Sequence, residues 1–568
     1  MEKELEGLLR KWALANAVKY NGQANFGAVL GKLLAEKPDL KNELKTLTGE
    51  IKKIVETVSS IPVEEQRKEL QETAPELLDV KHEKQEHVLK ELEGAEPGKV
   101  VMRMAPAPSG VMHIGHTYVL GMTSEYVKKY NGKLLLRLED TNPENIEQIA
   151  YKQLEEDARW LTNNNIHNVV IQSDRLHTYY DVAEKLIQMG KAYVCTCNAD
   201  VFRELVQRKK SCPCRDKPLA EQNTRWDKMF NGYEPGEAVV RVKTDINDPN
   251  PAMRDWPAMR INHHVHPRTG TKEKVWPLMN LAVAVDDHEL GITHTIRGKD
   301  HMDNEKRQKH IFDAFGWKTP KHFYVGRINF EGIDLSKTAT KEAITQGKYT
   351  GWDDIRLPFL MALKRRGYQP LALVQWALDM GLGQNDKTVP IEEFYKHVDA
   401  HNRKIIEPVA NRYFFVCDPV EVSIAGMPAH TAELPLHPDH ADRGARKLTA
   451  GETFYLAKDD VAQLTDGPVY RLMECGNFVK QGNNFHYHSK TVEEYREKGA
   501  ARIMHWLPAA PDLAKVEVLL PDGTKKQGYG EPALKQLKED ALIQFERFGF
   551  CRLDKKHGDK LTFWFTHK

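Results

Sequence analysis

Lys99-Val100-Val101-Met102-Arg103-Met104-Ala105-Pro106-Ala107-Pro108-Ser109-Gly110-Val111-Met112-His113-Ile114-Gly115-His116 is the stretch on which the reading of this chain turns. It opens as a strand-like apolar run and passes through a turn rich in Pro and Gly. It ends on His-Ile-Gly-His at the head of a helical pattern that continues to about Tyr130. A second strand-like run, Lys133-Leu134-Leu135-Leu136-Arg137-Leu138, completes a β-α-β unit, which calls for a parallel sheet. In such sheets ligands collect beyond the carboxyl ends of the strands, where Arg103, Ser109 and Glu139-Asp140 fall. The start of the helix offers unpaired N–H groups and the positive end of its dipole to a phosphate. His113 and His116 stand there one turn apart, with Gly115 leaving room for a flat base. Asp334-Leu335-Ser336-Lys337-Thr338 adds a lysine on a short polar loop, suited to charge that forms on a phosphate during reaction. The two elements together read as a nucleotide site.

The remainder of the chain fits a multidomain enzyme. At 568 residues it exceeds a typical domain several-fold, so roughly three to five domains are expected. No run approaches the ~18 consecutive apolar residues of a membrane span, and Met1-Glu2-Lys3-Glu4-Leu5-Glu6 is unlike a signal peptide, so a cytoplasmic protein is expected. A net charge of +1 gives no hint of nucleic acid, and any RNA footprint must be a local patch. Residues 1–97 carry 15 Lys plus Arg against 19 Asp plus Glu, leaving 67 against 62 for the mildly basic body. Surface solvation explains that difference almost as well as RNA binding does.

Residues 1–97 read as a separate helical domain. Leu5, Leu8, Leu9, Trp12 and Ala13 form one apolar stripe, and Leu40, Leu44, Leu47, Ile51, Ile54, Val55 and Val58 form another. Gly22 and Pro38 separate the helices, and Glu93-Gly94-Ala95-Glu96-Pro97-Gly98 reads as a linker. The domain is either a packed appendage or a docking module for a partner protein or tRNA.

Four of the seven cysteines fall as Cys195-Thr196-Cys197 and Cys212-Pro213-Cys214, with 14 residues between the pairs. Paired thiols in a reducing compartment favour a closed, structural Zn2+ site over disulfides, the alternative being buried or surface thiols. Cys417, Cys475 and Cys551 are isolated and read as packing residues.

The stretch from Arg103 to Gly110, followed by His113-Ile114-Gly115-His116, resembles the signature of class I glutamyl- and glutaminyl-tRNA synthetases. Asp334 to Thr338 stands where that family carries its second signature; the commonest form has Lys-Met before the Ser-Lys pair, and here Ser336-Lys337 is what remains. Similar segments run through Leu136-Arg137-Leu138-Glu139-Asp140-Thr141, Val285-Asp286-Asp287-His288 and Thr295-Ile296-Arg297-Gly298-Lys299-Asp300. Many relatives have Tyr-Asp-Phe where this chain has Met279-Asn280-Leu281. The resemblance covers about residue 98 to the C-terminus, in the style of the archaeal and eukaryal branch.

What it implies is a Rossmann-like α/β catalytic domain over 98–345, with an acceptor-stem-binding segment inserted at about 190–275. A helical connection over 346–407 and an all-β, barrel-type anticodon-binding region over 408–568 would follow. ATP with Mg2+ would be bound at Pro106, Gly110, His113, Gly115, His116, Ser336 and Lys337. The amino acid would lie at Arg103, Ala105, Glu139 and Arg297. Glu139 matches a position that contacts the substrate amino group. Arg297 matches the arginine that faces the side-chain carboxylate in glutamyl enzymes. The implied reaction joins L-glutamate to tRNA(Glu) in two steps, through glutamyl-adenylate, with His113, His116 and Lys337 as the catalytic residues stabilising charge on phosphate. A glutaminyl enzyme and a non-catalytic tRNA-binding relative are the alternatives, and tRNA(Gln) stands open as a second partner. In the C-terminal region, Arg552, Lys555 and Lys556 near Phe548, Phe550 and Trp564 read either as an RNA contact or as a solvated barrel face.

Overall fold

A computed structural model describes residues 2–19, 22–37, 40, 44–77, 89–499 and 501–568. The chain divides into two compact units, Met1–Val88 and Leu89–Lys568. In the first, four helices, α1 (Glu2–Lys19), α2 (Phe26–Glu36), α3 (Leu44–Ser59) and α4 (Val63–Thr73), enclose one apolar core. Both expected stripes meet there, around Leu9, Ala13, Leu47, Ile51 and Val58. Buried Gln66 ties the turns together: its Nε2 donates to the carbonyls of Gly22, Val58 and Ile61 at 3.0, 2.7 and 2.9 Å. Pro38 and the side chain of Leu44 lie outside the described residues.

The second unit is built on parallel strands. β1 (Val101–Met104) pairs with β2 (Lys133–Leu138), and β2 pairs with β3 (Asn168–Ile171). Helices α5 (Ile114–Lys129) and α6 (Gln148–Leu161) make the two crossovers. After β3 the chain leaves through α7 (Leu176–Gln188) into an antiparallel sheet of β4 (Ala192–Cys195), β5 (Val239–Val242), β6 (Pro257–Ile261) and β7 (Val275–Pro277). Helices α8 (Ala199–Gln207) and α9 (Leu219–Asn231) lie between β4 and β5. It returns along α10 (Met279–Glu289) to a parallel pair, β8 (His294–Gly298) and β9 (Lys321–Val325), connected by α11 (Met302–Phe315). Thr293, just before β8, donates its N–H to the Val101 carbonyl at 2.9 Å, so β8 sits beside β1. The chain turns toward β2 after β1 and away from it after β8. The crevice between the carboxyl ends of β1 and β8 is therefore the topological switch point, where such sheets bind ligands.

The expected linker is docked onto the body rather than free. Leu92 is buried in the core around β1 and β2, the Glu93 side chain pairs with Lys321, and the Gly98 N–H donates to the Tyr130 carbonyl at 2.7 Å. Beyond the lysine loop, α12 (Lys337–Thr345), α13 (Leu360–Arg366), α14 (Pro370–Met380) and α15 (Ile391–Ile406) follow. Leu360, Leu373, Trp376 and Phe394 share one core with β1 and β2. That sharing has a local cause: with no side chain at Gly121, α14 approaches α5 so closely that a Cβ there would lie 3.3 Å from Ala377 Cβ.

From residue 411 the chain is mainly β, with two short helices at Lys458–Val461 and Val492–Glu497. Two seven-stranded sheets form, and in each the two end strands are near neighbours in the chain: Asn411–Tyr413 with Phe415–Cys417 in one, Arg502–Met504 with Leu507–Pro508 in the other. Each sheet thereby curls almost closed, as a barrel must to remove its edges.

Candidate active site

A cavity of about 930 Å3 opens at the switch point. Of the residues singled out in the sequence, Arg103, Ala105, His113, Gly115, His116, Glu139, Arg297 and Ser336 line it. A second cavity of about 570 Å3 adjoins it, lined by Ser109, Glu139, Lys337, Lys341 and Trp352 among others. Glu139 belongs to both walls. Pro106 and Gly110 are buried and line neither cavity. Pro106 accepts the Glu139 N–H at 3.0 Å. Gly110, at φ +146°, gives space to the lysine: a Cβ there would lie 2.8 Å from Lys337 Cδ.

The phosphate end differs from the sequence reading in one respect. His113 is the N-cap of α5, and its Nδ1 accepts the Gly115 N–H at 3.1 Å. His116 Nδ1 accepts the His113 N–H at 3.1 Å. Ile114 N–H goes to the Pro358 carbonyl at 3.0 Å, and His116 N–H to the His113 carbonyl at 2.9 Å. The first N–H groups of the helix are thus satisfied by the protein, and the space above Gly115 is filled by the His113 ring, 2.9 Å from where a Cβ would stand. Accepting at Nδ1 places the proton of a neutral His113 ring on Nε2, whereas His116 Nδ1 lies also 3.3 Å from the His113 carbonyl. Burial, with Lys337 nearby, brings His113 down to about 4. Burial and the neighbouring His113 push His116 well below its ordinary value. Both shifts favour the neutral imidazole over the cation. The cation is Lys337, at the first turn of α12, whose N-cap Ser336 accepts the Ala339 N–H at 3.2 Å. Burial lowers the lysine from its usual range, and among the described residues it forms no ion pair.

The opposite end is a buried ion network. Asp287 accepts from Arg137 at 2.6 Å and from Arg103 at 3.2 and 3.4 Å. Arg137 also donates to Glu139 Oε1 at 2.9 and 3.3 Å. Burial opposes the charge of Arg137, but Asp287, Glu139 and Asp286 outweigh it and raise the pKa. Burial likewise opposes the Asp287 carboxylate, and Arg103 and Arg137 hold it ionised far below its usual range. Asp286 faces the other way, accepting from Gln172, Arg175 and Tyr179 at 2.8–2.9 Å. Arg297 is the exception. It is 7% exposed, forms no ion pair among the described residues, and donates to Gln308 Oε1 at 3.2 Å. Burial and the charge of Arg103 lower its pKa.

Residue reading did not assign roles to Arg137, Asp286, Asp287, Asn280 or Gln308. A signal existed: Asp286-Asp287 interrupts the apolar run Leu281-Ala282-Val283-Ala284-Val285, and acids on a helix buried nearly all round require cationic partners.

The four cysteines converge at the base of the inserted sheet. Their sulfurs lie within 4.8 Å of one another, with Cys195 Sγ 3.8 Å from Cys212 Sγ and Cys197 Sγ 3.7 Å from Cys214 Sγ. A tetrahedron with Zn–S bonds of about 2.3 Å requires S–S separations of about 3.8 Å. The donor set also suits a cation. Hydrogen bonding from Cys195 brings Cys212 down to about 5, and Cys214 is lowered, while burial and Cys212 push Cys197 up to about 11.

Of the C-terminal basic residues, two are tied into internal bonds. Arg552 is held by Asp540, Asp554 and the Arg365 carbonyl, and Lys556 Nζ donates to the carbonyls of Lys535 and Leu537 at 2.7 and 2.8 Å. Phe550 and Trp564 are buried, with the Arg365 guanidinium 4.1 Å from the Trp564 ring. Lys555 alone of the three is exposed.

An α/β sheet with a ligand crevice at its switch point, a helix-capping His-Ile-Gly-His and a lysine loop across the cavity define an aminoacyl-tRNA synthetase of class I. Residues 99–407 match the family described as tRNA synthetases class I (E and Q), catalytic domain. Residues 410–496 and 503–554 match the two anti-codon binding domain families of the same enzymes. The chain belongs to this E and Q group. Among its relatives, the Glutamate--tRNA ligase of Pyrococcus furiosus is 44% identical over 585 residues, with 100% of both chains covered. That of Methanothermobacter thermautotrophicus is 43% identical over 565 residues, covering 99% of this chain and 100% of the relative. Among the described residues, no helix is long and apolar enough to cross a membrane.

Proposed function

We propose that this chain ligates L-glutamate to tRNA(Glu) at the expense of ATP. The observation that carries the choice of amino acid is Arg297, a buried guanidinium at the cavity wall that forms no ion pair among the described residues. A substrate γ-carboxylate satisfies such a group by charge-assisted, bidentate bonds, whereas an amide leaves it underpaired. Glu139, held by Arg137, receives the substrate ammonium, and Arg103 lies beside it on the same wall.

The α-carboxylate of glutamate attacks the α-phosphorus of ATP, a P–O bond forms as the bond to pyrophosphate breaks, and glutamyl-adenylate results. His113, through Nε2–H, and His116 donate to the reacting phosphate, and Lys337 follows the charge that accumulates on pyrophosphate. A hydroxyl of the terminal tRNA adenosine then attacks the acyl carbonyl and expels AMP. Mg2+ would arrive with the triphosphate. The residues therefore work by position and fixed charge rather than by covalent attack.

Cys195, Cys197, Cys212 and Cys214 would hold a structural Zn2+ that cross-links the inserted module. Metal analysis of protein purified without chelator should find about one zinc per chain; finding none would return the cluster to ordinary thiols. The function itself is tested by offering purified tRNA(Glu) and tRNA(Gln) each with glutamate and glutamine. Glutamate on tRNA(Glu) should be the preferred product, and preferential formation of glutaminyl-tRNA would overturn the reading.

A further inference from the structure

Of the three buried arginines Arg103, Arg137 and Arg297, two are ion-paired within the protein: Arg103 by Asp287, Arg137 by Asp287 and Glu139. The third, Arg297, is met instead by an amide. Gln308 on α11 is 2% exposed, and its Oε1 accepts from Arg297 Nη1 at 3.2 Å. Its Nε2 donates to Oδ1 of Asn280, on α10, also at 3.2 Å. Arginine has only donors to offer, so the amide must turn its oxygen to Arg297, and Asn280 holds it in that sense from behind.

We infer that Gln308 is a positioning residue for amino-acid specificity: it orients the Arg297 guanidinium while leaving its charge for the substrate to neutralise. This rests on the reading of Arg297 as the receptor for the γ-carboxylate, and deepens it. Two demands meet at this position. A buried guanidinium N–H needs an acceptor, so an apolar residue would leave it unsatisfied and loosely aimed. A carboxylate would satisfy it too well, completing an internal ion pair and confronting the entering substrate with a second negative charge. A neutral acceptor of glutamine length answers both.

The test uses the full-length enzyme and two substitutions of nearly unchanged volume, Gln308→Glu and Gln308→Met. Aminoacylation of tRNA(Glu) gives kcat and KM for glutamate, and competition gives the inhibition constant of glutamine. Gln308→Glu should raise the KM for glutamate roughly 30-fold or more, the scale of a charge pair spoiled at a binding site. The glutamine constant should change far less. Gln308→Met should give a smaller rise, roughly 3- to 10-fold, as for one lost hydrogen bond to a charged group. Parallel loss for both amino acids, or an unchanged KM for glutamate in Gln308→Glu, would overturn the inference and leave the function standing. Should Gln308→Glu fail to fold, Gln308→Met decides by the same ratio. Wild type that does not charge glutamate would overturn the function first, so the two failures are distinguishable.

Discussion

The two ends of the cavity are built by opposite means. At the phosphate end, His113, His116 and Ser336 are each fixed by bonds to backbone groups two or three residues away. At the amino-acid end, Asp287 joins Arg103 and Arg137 across separations of 184 and 150 residues, and Arg297 depends on Gln308 of the next helix. The first end is secondary structure with chemistry attached to its caps. The second exists only once β1, β2, α10 and β8 have come together. The contrast teaches that loss of a group at the phosphate end should cost rate, and that loss of a group at the other end should cost stability or selectivity.

The largest effect should come from the centre of the ion network. Asp287→Ala leaves Arg103 and Arg137 buried beside a vacated partner, and the catalytic unit should lose about 3–5 kcal/mol against urea, as when one member of a buried pair is removed. A loss below about 1 kcal/mol would show that the network is solvated and that the contrast is false.

Arg297→Gln should come next, because a charge that selects is removed without disturbing an internal ion pair. The specificity kcat/KM for glutamate should fall by about 2–5 kcal/mol, with little change in the KM for ATP and a much smaller change for glutamine. An unchanged ratio of the two amino acids would mean that Arg297 does not read the side chain.

At the phosphate end, Lys337→Ala should reduce kcat roughly 10²-fold or more, the scale of one lost electrostatic stabiliser, with the unfolding midpoint nearly unchanged. Single-turnover adenylate formation at the wild-type rate would sink the role assigned to the lysine.

The smallest effect is one of pH and sharpens the account of the histidines. His113 lies at about 4 in the folded protein against an ordinary 6.5. Its neutral form therefore contributes stability that is present above 6.5 and drains away as pH falls toward 4. If the neutral ring is the working form, adenylate formation should hold through pH 6.5 and decline only on approach to about 4–5. Activity that falls as pH rises through 6.5 would instead make an imidazolium the working form.

Local sequence made the strand-turn-helix at 99–116, the lysine loop, the apolar stripes of the N-terminal helices and the pairing of the cysteines legible, because each rests on a repeat or spacing of a few residues. His-Ile-Gly-His carries its own cap geometry, and Cys-x-Cys its own reach. The same reasoning stays undecided where a local pattern has two physical solutions. Glu93 to Gly98 has the composition of a linker, yet Leu92 finds a pocket and Glu93 a lysine. Arg552 and Lys556 have the charge of an RNA contact, and both are bonded within the protein, Arg552 to Asp540 and Asp554 and Lys556 to two carbonyls.

What the amino-acid sequence determined by itself is therefore the class of fold, the capped His-Ile-Gly-His helix start with its lysine loop, and the candidate metal cluster. Tertiary structure alone decided that, of the buried arginines Arg103, Arg137 and Arg297, the last forms no ion pair among the described residues. Coulomb energy inside a protein depends on partners brought within a few ångströms and out of water. For Arg103, Arg137 and Arg297 those partners lie on other strands and helices, so their number and sign cannot be read from neighbours in the chain.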